Sequence, residues 1–243
     1  MFKFYEVGGK VRDEFLGTKS KDIDYVAVRE VELGKDITIE DVFDLLVLYL
    51  KFKGFEIFLT TPRMYTIRAK FPKSHKNAGI TADFVIARKE IGYKEGTREP
   101  IIVPGTLLDD LTRRDFTVNA IAKDEEGNIY DPFDGINDIN LRLLRTPISG
   151  HITFTDDPLR LLRAIRFSIT KNFVISDEIS DMIVHFNYKE MFKVVSEERI
   201  REELHKCFKH NTLETLGTLE YYWQLRNYIF TRTKLWLKPT NEE

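Results

Sequence analysis

The chain is poor in cysteine and has no long apolar run, and both absences narrow the kinds of protein it can be. Its 243 residues include one cysteine, Cys207, which excludes an internal disulfide and a zinc site built from cysteines and favours a reducing compartment. The five histidines show no spacing typical of metal ligands. No segment approaches the roughly 20 apolar residues of a membrane span, and the chain begins with a strand-like pattern in place of a signal peptide. We therefore expect a cytoplasmic protein with no membrane partner.

An excess of either charge is also missing. The chain has 37 Lys and Arg residues against 39 Asp and Glu residues, which gives a formal net charge of −2. Overall charge therefore does not indicate a nucleic-acid partner, and any surface for RNA must be local.

The hydrophobic pattern changes near residue 140. Before this point, alternating runs predict strands mixed with a few helices, whereas after residue 156 apolar residues recur at helical spacing. Strands are predicted at 2–7, 22–28, 55–60, 64–70 and 80–87, and helices at 12–16, 36–53, 157–170, 176–186, 196–210 and 212–226. This order predicts an α+β fold in which a small mixed sheet with helices is followed by an all-helical part.

Two segments have unusual composition. Residues 88–106 are charged, contain glycine and have no hydrophobic period, which predicts a mobile loop of the kind that is often functional. Residues 205–238 combine basic with aromatic side chains. This combination fits contact with an RNA backbone and its bases, and it fits the core of a helical bundle equally well.

Two aspartates, Asp22 and Asp24, form the first candidate site. Because side chains alternate along a strand, both carboxylates are expected on the same face of the strand at 22–28. Carboxylates so close repel each other unless a cation lies between them, so the pair predicts a hard divalent metal such as Mg²⁺. Asp83, on the strand at 80–87, is a candidate third carboxylate. The alternative is a surface hairpin with solvated aspartates, which explains an isolated Asp-x-Asp pair better.

A glycine turn precedes this pair. Gly8 and Gly9 expose backbone amides with no side chain in the way, and Lys10 and Arg12 add positive charge suited to a triphosphate. A metal and a triphosphate together predict a nucleotidyltransferase.

Five motifs follow one another along the chain. They are Gly8-Gly9-Lys10-Val11-Arg12-Asp13 with Asp22-Ile23-Asp24, Arg113-Arg114-Asp115-Phe116-Thr117, Asp131-Pro132-Phe133-Asp134-Gly135, Asp156-Asp157-Pro158-Leu159-Arg160, and Ser196-Glu197-Glu198-Arg199-Ile200. In the presence and order of these five motifs, the chain resembles the class II tRNA nucleotidyltransferases, the CCA-adding family that includes bacterial poly(A) polymerases. The resemblance implies a nucleotidyltransferase head of the polymerase beta type at 1–140, a helical neck at 141–210 and a short, truncated body segment at 211–243.

The resemblance also implies roles for single residues in the head. Asp22 and Asp24 are the expected catalytic residues and ligands of Mg²⁺, and Arg114, Asp115 and Asn119 are expected to recognise the ribose. The residue types suit this role, because a carboxylate beside guanidiniums is held in place while a donor reaches a ribose hydroxyl.

The motif at 156–160 resembles the segment that acts as a protein template in this family. Asp157 and Arg160 are expected to hydrogen-bond to the incoming base, since arginine presents a planar donor fork and aspartate only acceptors. Arg160, Arg163 and Arg166 recur every third residue and form a basic stripe on the predicted helix, so Arg163 is a further expected nucleotide contact. The motifs at 131–135 and 196–200 are expected to be structural.

The implied activity is template-independent addition of nucleotides from CTP and ATP to the 3′ end of an RNA, expected to be tRNA. The RNA 3′ hydroxyl attacks the α-phosphorus and pyrophosphate leaves. Relatives that add only CC tend to lack the loop that 88–106 resembles, which favours CCA or A addition, with poly(A) addition as the runner-up. A small-molecule nucleotidyltransferase and a noncatalytic RNA-binding protein are alternatives that the motif at 113–119 and the intact Asp22 and Asp24 disfavour.

Few residues follow the last motif. Three explanations stay open: a minimal enzyme that docks only the RNA acceptor end, a homodimer that builds an RNA site, and an enzyme for a smaller or damaged RNA.

Overall fold

The structure is a computed structural model that describes residues 1–20, 23–30, 37–93 and 100–233. The chain divides into two compact units, Met1–Ile139 and Asn140–Glu243. In the described parts, no helix is both long and apolar enough to cross a membrane.

The first unit combines strands with short helices. Its elements are β1 (Phe2–Val7), α1 (Gly9–Phe15), β2 (Asp24–Arg29), α2 (Ile39–Phe52), β3 (Glu56–Thr61), β4 (Thr66–Lys70), β5 (Thr81–Ile86), β6 (Arg88–Tyr93), β7 (Pro100–Pro104), α3 (Leu107–Thr112), β8 (Ala122–Lys123), β9 (Ile129–Tyr130) and α4 (Gly135–Leu141). The last two residues of α4 belong to the second unit.

Seven of the described strands form one sheet, in the order β3, β4, β5, β2, β1, β8, β9. The strands β2 and β5 are parallel and the other neighbours are antiparallel, so the sheet is mixed as predicted. One face of the sheet packs with α2 around buried aromatic and aliphatic side chains, among them Phe84 and Leu46. The predicted fold class of the first unit is confirmed.

The helix α2 has clear start and stop signals. Thr38 and Asp41 form a capping box, in which the Thr38 hydroxyl accepts from the Asp41 amide at 3.1 Å and the Asp41 carboxylate accepts from the Thr38 amide at 3.0 Å. Gly54, with φ +81°, follows its end in a conformation that favours glycine. The cap explains why the helix begins at Ile39, three residues after the predicted start at Asp36.

The prediction of a loop without regular structure at 88–106 is wrong for its described residues. The strands β6 and β7 form an antiparallel pair in which Lys89 lies opposite Val103 and Glu90 opposite Ile102. The charged residues of β6 are not typical of a strand and so did not predict one. The run of β-branched residues at 101–103, in β7, is typical of a strand and was a usable signal. The middle of the segment, at 94–99, lies outside the described residues.

The second unit is built mainly from helices. Its elements are β10 (Leu143–Leu144), α5 (Gly150–Asp156), α6 (Leu159–Lys171), β11 (Val174–Ile175), α7 (Asp177–His185), α8 (Tyr188–Met191), α9 (Glu197–His210), α10 (Thr212–Tyr221) and α11 (Trp223–Thr233). The two-residue strands β10 and β11 pair in parallel, a detail that the helical prediction did not include. The predicted helix at 212–226 is two helices, because regular structure stops at Tyr222.

The helices α6 and α9 are joined by an ion pair inside the second unit. Arg166 of α6 donates to Glu203 of α9 at 2.5 Å, and Lys206 donates to the other oxygen of Glu203 at 3.1 Å. Burial by itself raises the pKa of Glu203, but the charge and hydrogen bond of Arg166 outweigh it and hold the pKa below its usual value. The pair therefore links α6 to α9 inside the second unit.

Candidate active site

The glycine turn lies where β1 ends and α1 begins. Gly8 has φ +68°, a left-handed conformation that favours glycine, and its carbonyl accepts from the Arg12 amide at 3.0 Å. A Cβ added to Gly8 would lie 3.1 Å from Nη1 of Arg114. The backbone angle therefore favours glycine at this position, and the guanidinium of Arg114 lies close to the space that a side chain would occupy.

The carboxylate that binds Arg114 is Asp110. Arg114 donates to Oδ2 of Asp110 from Nε at 3.3 Å and from Nη2 at 2.9 Å, and Arg113 donates to Oδ1 at 3.1 and 2.5 Å. The Asp110 side chain is fully buried. Burial alone raises the pKa of Asp110, but the charges of Arg114 and Arg113 outweigh it, so the pKa lies below its usual value and the carboxylate stays ionised.

A second network joins the first motif to the residues after Arg114. Arg12 donates to Asp13 at 2.9 Å and to the side-chain oxygen of Asn119 at 2.6 Å. Asn119 in turn donates to Asp115 at 2.8 Å, and Asp115 also accepts from the Phe116 amide at 2.9 Å. This network ties α1 to the segment at 113–119.

The two networks differ in how much of them solvent can reach. The side chain of Arg12 is 7% exposed, whereas that of Arg114 is 18% exposed. Asp115 and Asn119 are also buried, and Gly9 and Lys10 are half-buried in the first turn of α1. Among Arg114, Asp115 and Asn119, the three expected ribose contacts, the side chain of Arg114 is therefore the most accessible to a ligand.

Asp24 begins β2 beside the glycine turn. It lies opposite Val7, the residue before Gly8, and on its other side it lies in register with Asp83 of β5. Residues in register on neighbouring strands have side chains on the same face, so the structure brings Asp24 and Asp83 together. Asp22 lies outside the described residues.

Asp83 has a fixed partner on the next strand. Arg68 of β4 donates to both of its oxygens, from Nε at 2.8 Å and from Nη2 at 2.7 Å. A bidentate pair of this kind fixes the orientation of a carboxylate. Asp83 is thus held in one orientation one strand away from Asp24.

The carboxylates at this end of the sheet are the candidate ligands for a metal ion. In the part of the chain that the structure describes, no group of three or more histidine, cysteine, aspartate or glutamate residues is arranged to hold a metal ion. Asp24 supplies oxygen donors of the type that hard divalent cations prefer, whereas both oxygens of Asp83 accept from Arg68. The chemistry of Asp24 therefore fits a divalent ion at this end of the sheet.

The motif at 131–135 packs against the segment at 113–117. Asp131 accepts from the amides of Gly135 and Ile136 at 2.8 and 2.9 Å and so caps α4. A Cβ added to Gly135 would lie 2.3 Å from the carbonyl oxygen of Thr117, and the Thr117 hydroxyl donates to Asp138 at 2.5 Å. The structure thus gives this motif a structural contact.

The expected base readers lie at the start of α6 in the second unit. Asp157 accepts from the Leu159 amide at 3.2 Å and from Arg199 at 3.0 Å, so the motif at 196–200 holds its carboxylate. Arg160 donates to the Thr153 carbonyl at 3.4 Å. Arg163 lies on the same helix with its guanidinium 5.8 Å from the ring of Phe167.

Two residues of this site were missed from the sequence. Asp110 precedes Arg113 and Arg114 by three and four residues, a spacing that brings side chains together on a helix and was therefore a usable signal. Arg68 meets Asp83 only through the pairing of β4 with β5, which the sequence does not reveal.

Comparison with known proteins gives a consistent result. The family model described as the poly A polymerase head domain matches residues 4–145. The chain is 33% identical over 225 residues to the multifunctional CCA protein of Nitrosomonas europaea, covering 90% of this chain and 46% of that protein. It is 34% identical over 237 residues to the CCA-adding enzyme of Buchnera aphidicola, covering 94% and 50% respectively. The chain thus spans about half the length of these relatives.

Solved structures of similar proteins share the fold. A CCA-adding enzyme in apo form II is 26% identical with a TM-score of 0.74, and the match covers 98% of this chain and 52% of that one. The Bacillus stearothermophilus CCA-adding enzyme in complex with CTP is 28% identical with a TM-score of 0.68, covering 90% and 47%.

Proposed function

The chain belongs to the poly(A) polymerase head-domain family, and on this premise we propose that it adds nucleotides from CTP and ATP to the 3′ end of tRNA. The relatives named as CCA-adding enzymes support CCA as the product. Because the chain matches only about half of each relative, the substrate and the RNA partner belong to the proposal.

One observation carries the proposal. Asp24 lies opposite Val7 and is therefore next to the turn at Gly8. The Arg114 guanidinium approaches the same turn, where a Cβ added to Gly8 would lie 3.1 Å from Nη1. Neighbouring strands are about 4.8 Å apart, so Asp24 lies next to the turn whose backbone amides and nearby arginine can bind a triphosphate. Such a site suits phosphoryl transfer by positioning and charge neutralisation.

Family membership implies a divalent metal, and we propose Mg²⁺ held by Asp22 and Asp24. The metal would neutralise charge on the triphosphate and on the attacking oxygen. In the transfer, the RNA 3′ oxygen bonds to the α-phosphorus while the bond from that phosphorus to pyrophosphate breaks. No covalent intermediate with the chain is required.

The remaining predicted residues divide into contacts and supports. We propose that Gly8, Gly9 and Lys10 bind the phosphates and that Arg114 contacts the ribose. Arg12, Asp115 and Asn119 belong to the same nucleotide site, and their mutual hydrogen bonds hold it in shape. In the second unit, Asp157, Arg160 and Arg163 are proposed to contact the base.

The test uses the chain itself with a tRNA transcript that lacks CCA, and with CTP and ATP together. Sequencing the 3′ ends of the products is expected to give three added residues, C, C and A. A long A tract would instead support poly(A) addition, the activity after which the matching family model is described. RNA left without added nucleotides in the presence of Mg²⁺ would contradict the proposal and favour a small-molecule acceptor or a noncatalytic role.

A further inference from the structure

Asp110 lies within the candidate site but is not among the residues predicted to contact the nucleotide or the metal. It occupies the short helix α3, its side chain is fully buried, and each of its oxygens accepts from a different arginine. A buried carboxylate is costly unless it is paired, so this arrangement needs both partners. The burial and the pairing together define one orientation for each guanidinium.

The Asp110 contact determines where Arg114 points. Nε and Nη2 of Arg114 are bound to Oδ2 of Asp110, while Nη1 is directed to the Asn119 carbonyl at 3.3 Å and to the Gly8 turn. Because a guanidinium is planar, fixing one edge fixes the direction of the other. Asp110 thus sets the edge of Arg114 that faces the turn.

A third arginine, Arg88, lies close enough to Asp110 and Arg113 for their charges to act on its pKa in opposite directions. Arg88 donates to the Met64 carbonyl at 3.4 Å, and its buried Nε has no hydrogen-bond partner among the described residues. Its pKa is lowered by burial and by the nearby charge of Arg113. Asp110 therefore has a third arginine nearby besides the two that donate to it.

We propose that Asp110 is a positioning residue for nucleotide recognition, acting through Arg114 rather than by touching the nucleotide. The inference rests on the proposed function, since it assumes that Arg114 contacts the ribose of CTP. It predicts that loss of the Asp110 charge weakens recognition of the ribose while the transfer step at Asp24 is less affected.

The first test is Asp110→Asn. An asparagine offers one oxygen and one amide group, so one of the two arginines would face a donor instead of an acceptor. We expect the KM for CTP to rise about 10-fold or more with a smaller change in kcat, because uniform binding of the nucleotide is lost. The preference for CTP over dCTP, measured as the ratio of kcat/KM, is expected to fall by a similar factor.

Asp124→Asn is the matched control. Asp124 is also a buried aspartate of the first unit, and it lies in the turn between β8 and β9. It accepts from Asn128 of the same turn at 3.0 Å and from Lys3 of β1 at 3.5 Å. It has no place in the nucleotide site. We expect its KM for CTP and its discrimination against dCTP to equal those of the wild type.

A double-mutant cycle decides whether Asp110 acts through Arg114. In an Arg114→Met background, Asp110→Asn is expected to cause no further rise in KM, because the group that it positions is already gone. A further rise equal to that in the wild-type background would overturn the proposal. The proposal would also be overturned if Asp110→Asn lowered kcat but left KM and the discrimination between CTP and dCTP unchanged. A smaller amount of folded protein gives that result.

A fold check keeps the outcome clear. If near-ultraviolet circular dichroism shows that Asp110→Asn does not fold, Asp110→Glu replaces it, because it keeps the charge and shifts the carboxylate by one methylene. The same rise in KM and loss of discrimination are expected, and wild-type values for both would overturn the proposal. A wild type that does not use CTP would contradict the proposed function. A wild type that uses CTP, together with an Asp110 variant that has the same KM and the same discrimination, would contradict only the inference about Asp110.

Discussion

Gly135 offers the sharpest test of how the site is supported. The structure leaves no room for a side chain there, because an added Cβ would lie 2.3 Å from the carbonyl oxygen and 2.8 Å from the carbonyl carbon of Thr117. Both are backbone atoms, so relief requires the chain at 113–117 to move. Overpacking of this kind costs about 3 kcal/mol, at the upper end of the usual range. Alanine regains at most about 1 kcal/mol of helix propensity, because Gly135 is the first residue of α4, which leaves a net loss of at least about 2 kcal/mol.

Gly217→Ala is the matched control. Gly217 lies inside α10, where an added Cβ meets no described atom within 4 Å, so only the gain of about 1 kcal/mol in helix propensity remains. Since 1 kcal/mol corresponds to about 2 to 4 °C for a chain of this size, thermal unfolding followed by circular dichroism should show Gly135→Ala about 4 to 8 °C below the wild type and Gly217→Ala about 2 to 4 °C above it. Equal shifts of the same sign would refute the reasoning from the Thr117 contact.

Three further outcomes are expected. Asp24→Ala lowers CTP incorporation by roughly 10³, since losing a metal ligand removes several kcal/mol of barrier stabilisation, and near wild-type rates with Mg²⁺ would contradict the role of this carboxylate. Arg160→Ala blurs the choice among CTP, ATP, GTP and UTP more than it slows addition, as measured in single-nucleotide competition assays; an unchanged base preference would remove Arg160 from base recognition. Hydrogen bonds from Asn128 lower the pKa of Asp124 from 3.8 to about 2, so the stability that Asp124 contributes is present above pH 4 and lost as the pH falls through about 2. Acid titration of the unfolding temperature should show a smaller loss between pH 4 and 2 in Asp124→Asn than in the wild type, and identical curves would count against this linkage.

The sequence was informative where a feature depends on neighbouring residues. The alternation that predicts a strand at 22–28 and the glycine turn at Gly8 are local properties, and the structure has β2 at Asp24–Arg29 and Gly8 at φ +68°. The same holds for α2, whose apolar stripe and following Gly54 mark its face and its end.

Other features depend on residues that are distant in the chain. The contact of Gly135 with Thr117 arises only when two segments pack, and nothing in either segment alone requires it. The hydrogen bond from Arg12 to Asn119 crosses 107 positions and withdraws Arg12 into the interior, whereas its charge alone suggested a solvent-facing phosphate contact. Burial of this kind is a tertiary property, so it could not be read from a charge beside a glycine turn.

The central claim is that this chain transfers a nucleotide to an RNA 3′ end with release of pyrophosphate. It is tested most directly by offering a tRNA transcript without CCA either CTP labelled on the α-phosphate or CTP labelled on the γ-phosphate, with Mg²⁺ present. We predict that the α label enters the RNA at its 3′ end, that the γ label is released as pyrophosphate, and that Asp24→Ala loses both signals. A γ label found on the RNA, or an unlabelled RNA in both reactions, would contradict the account.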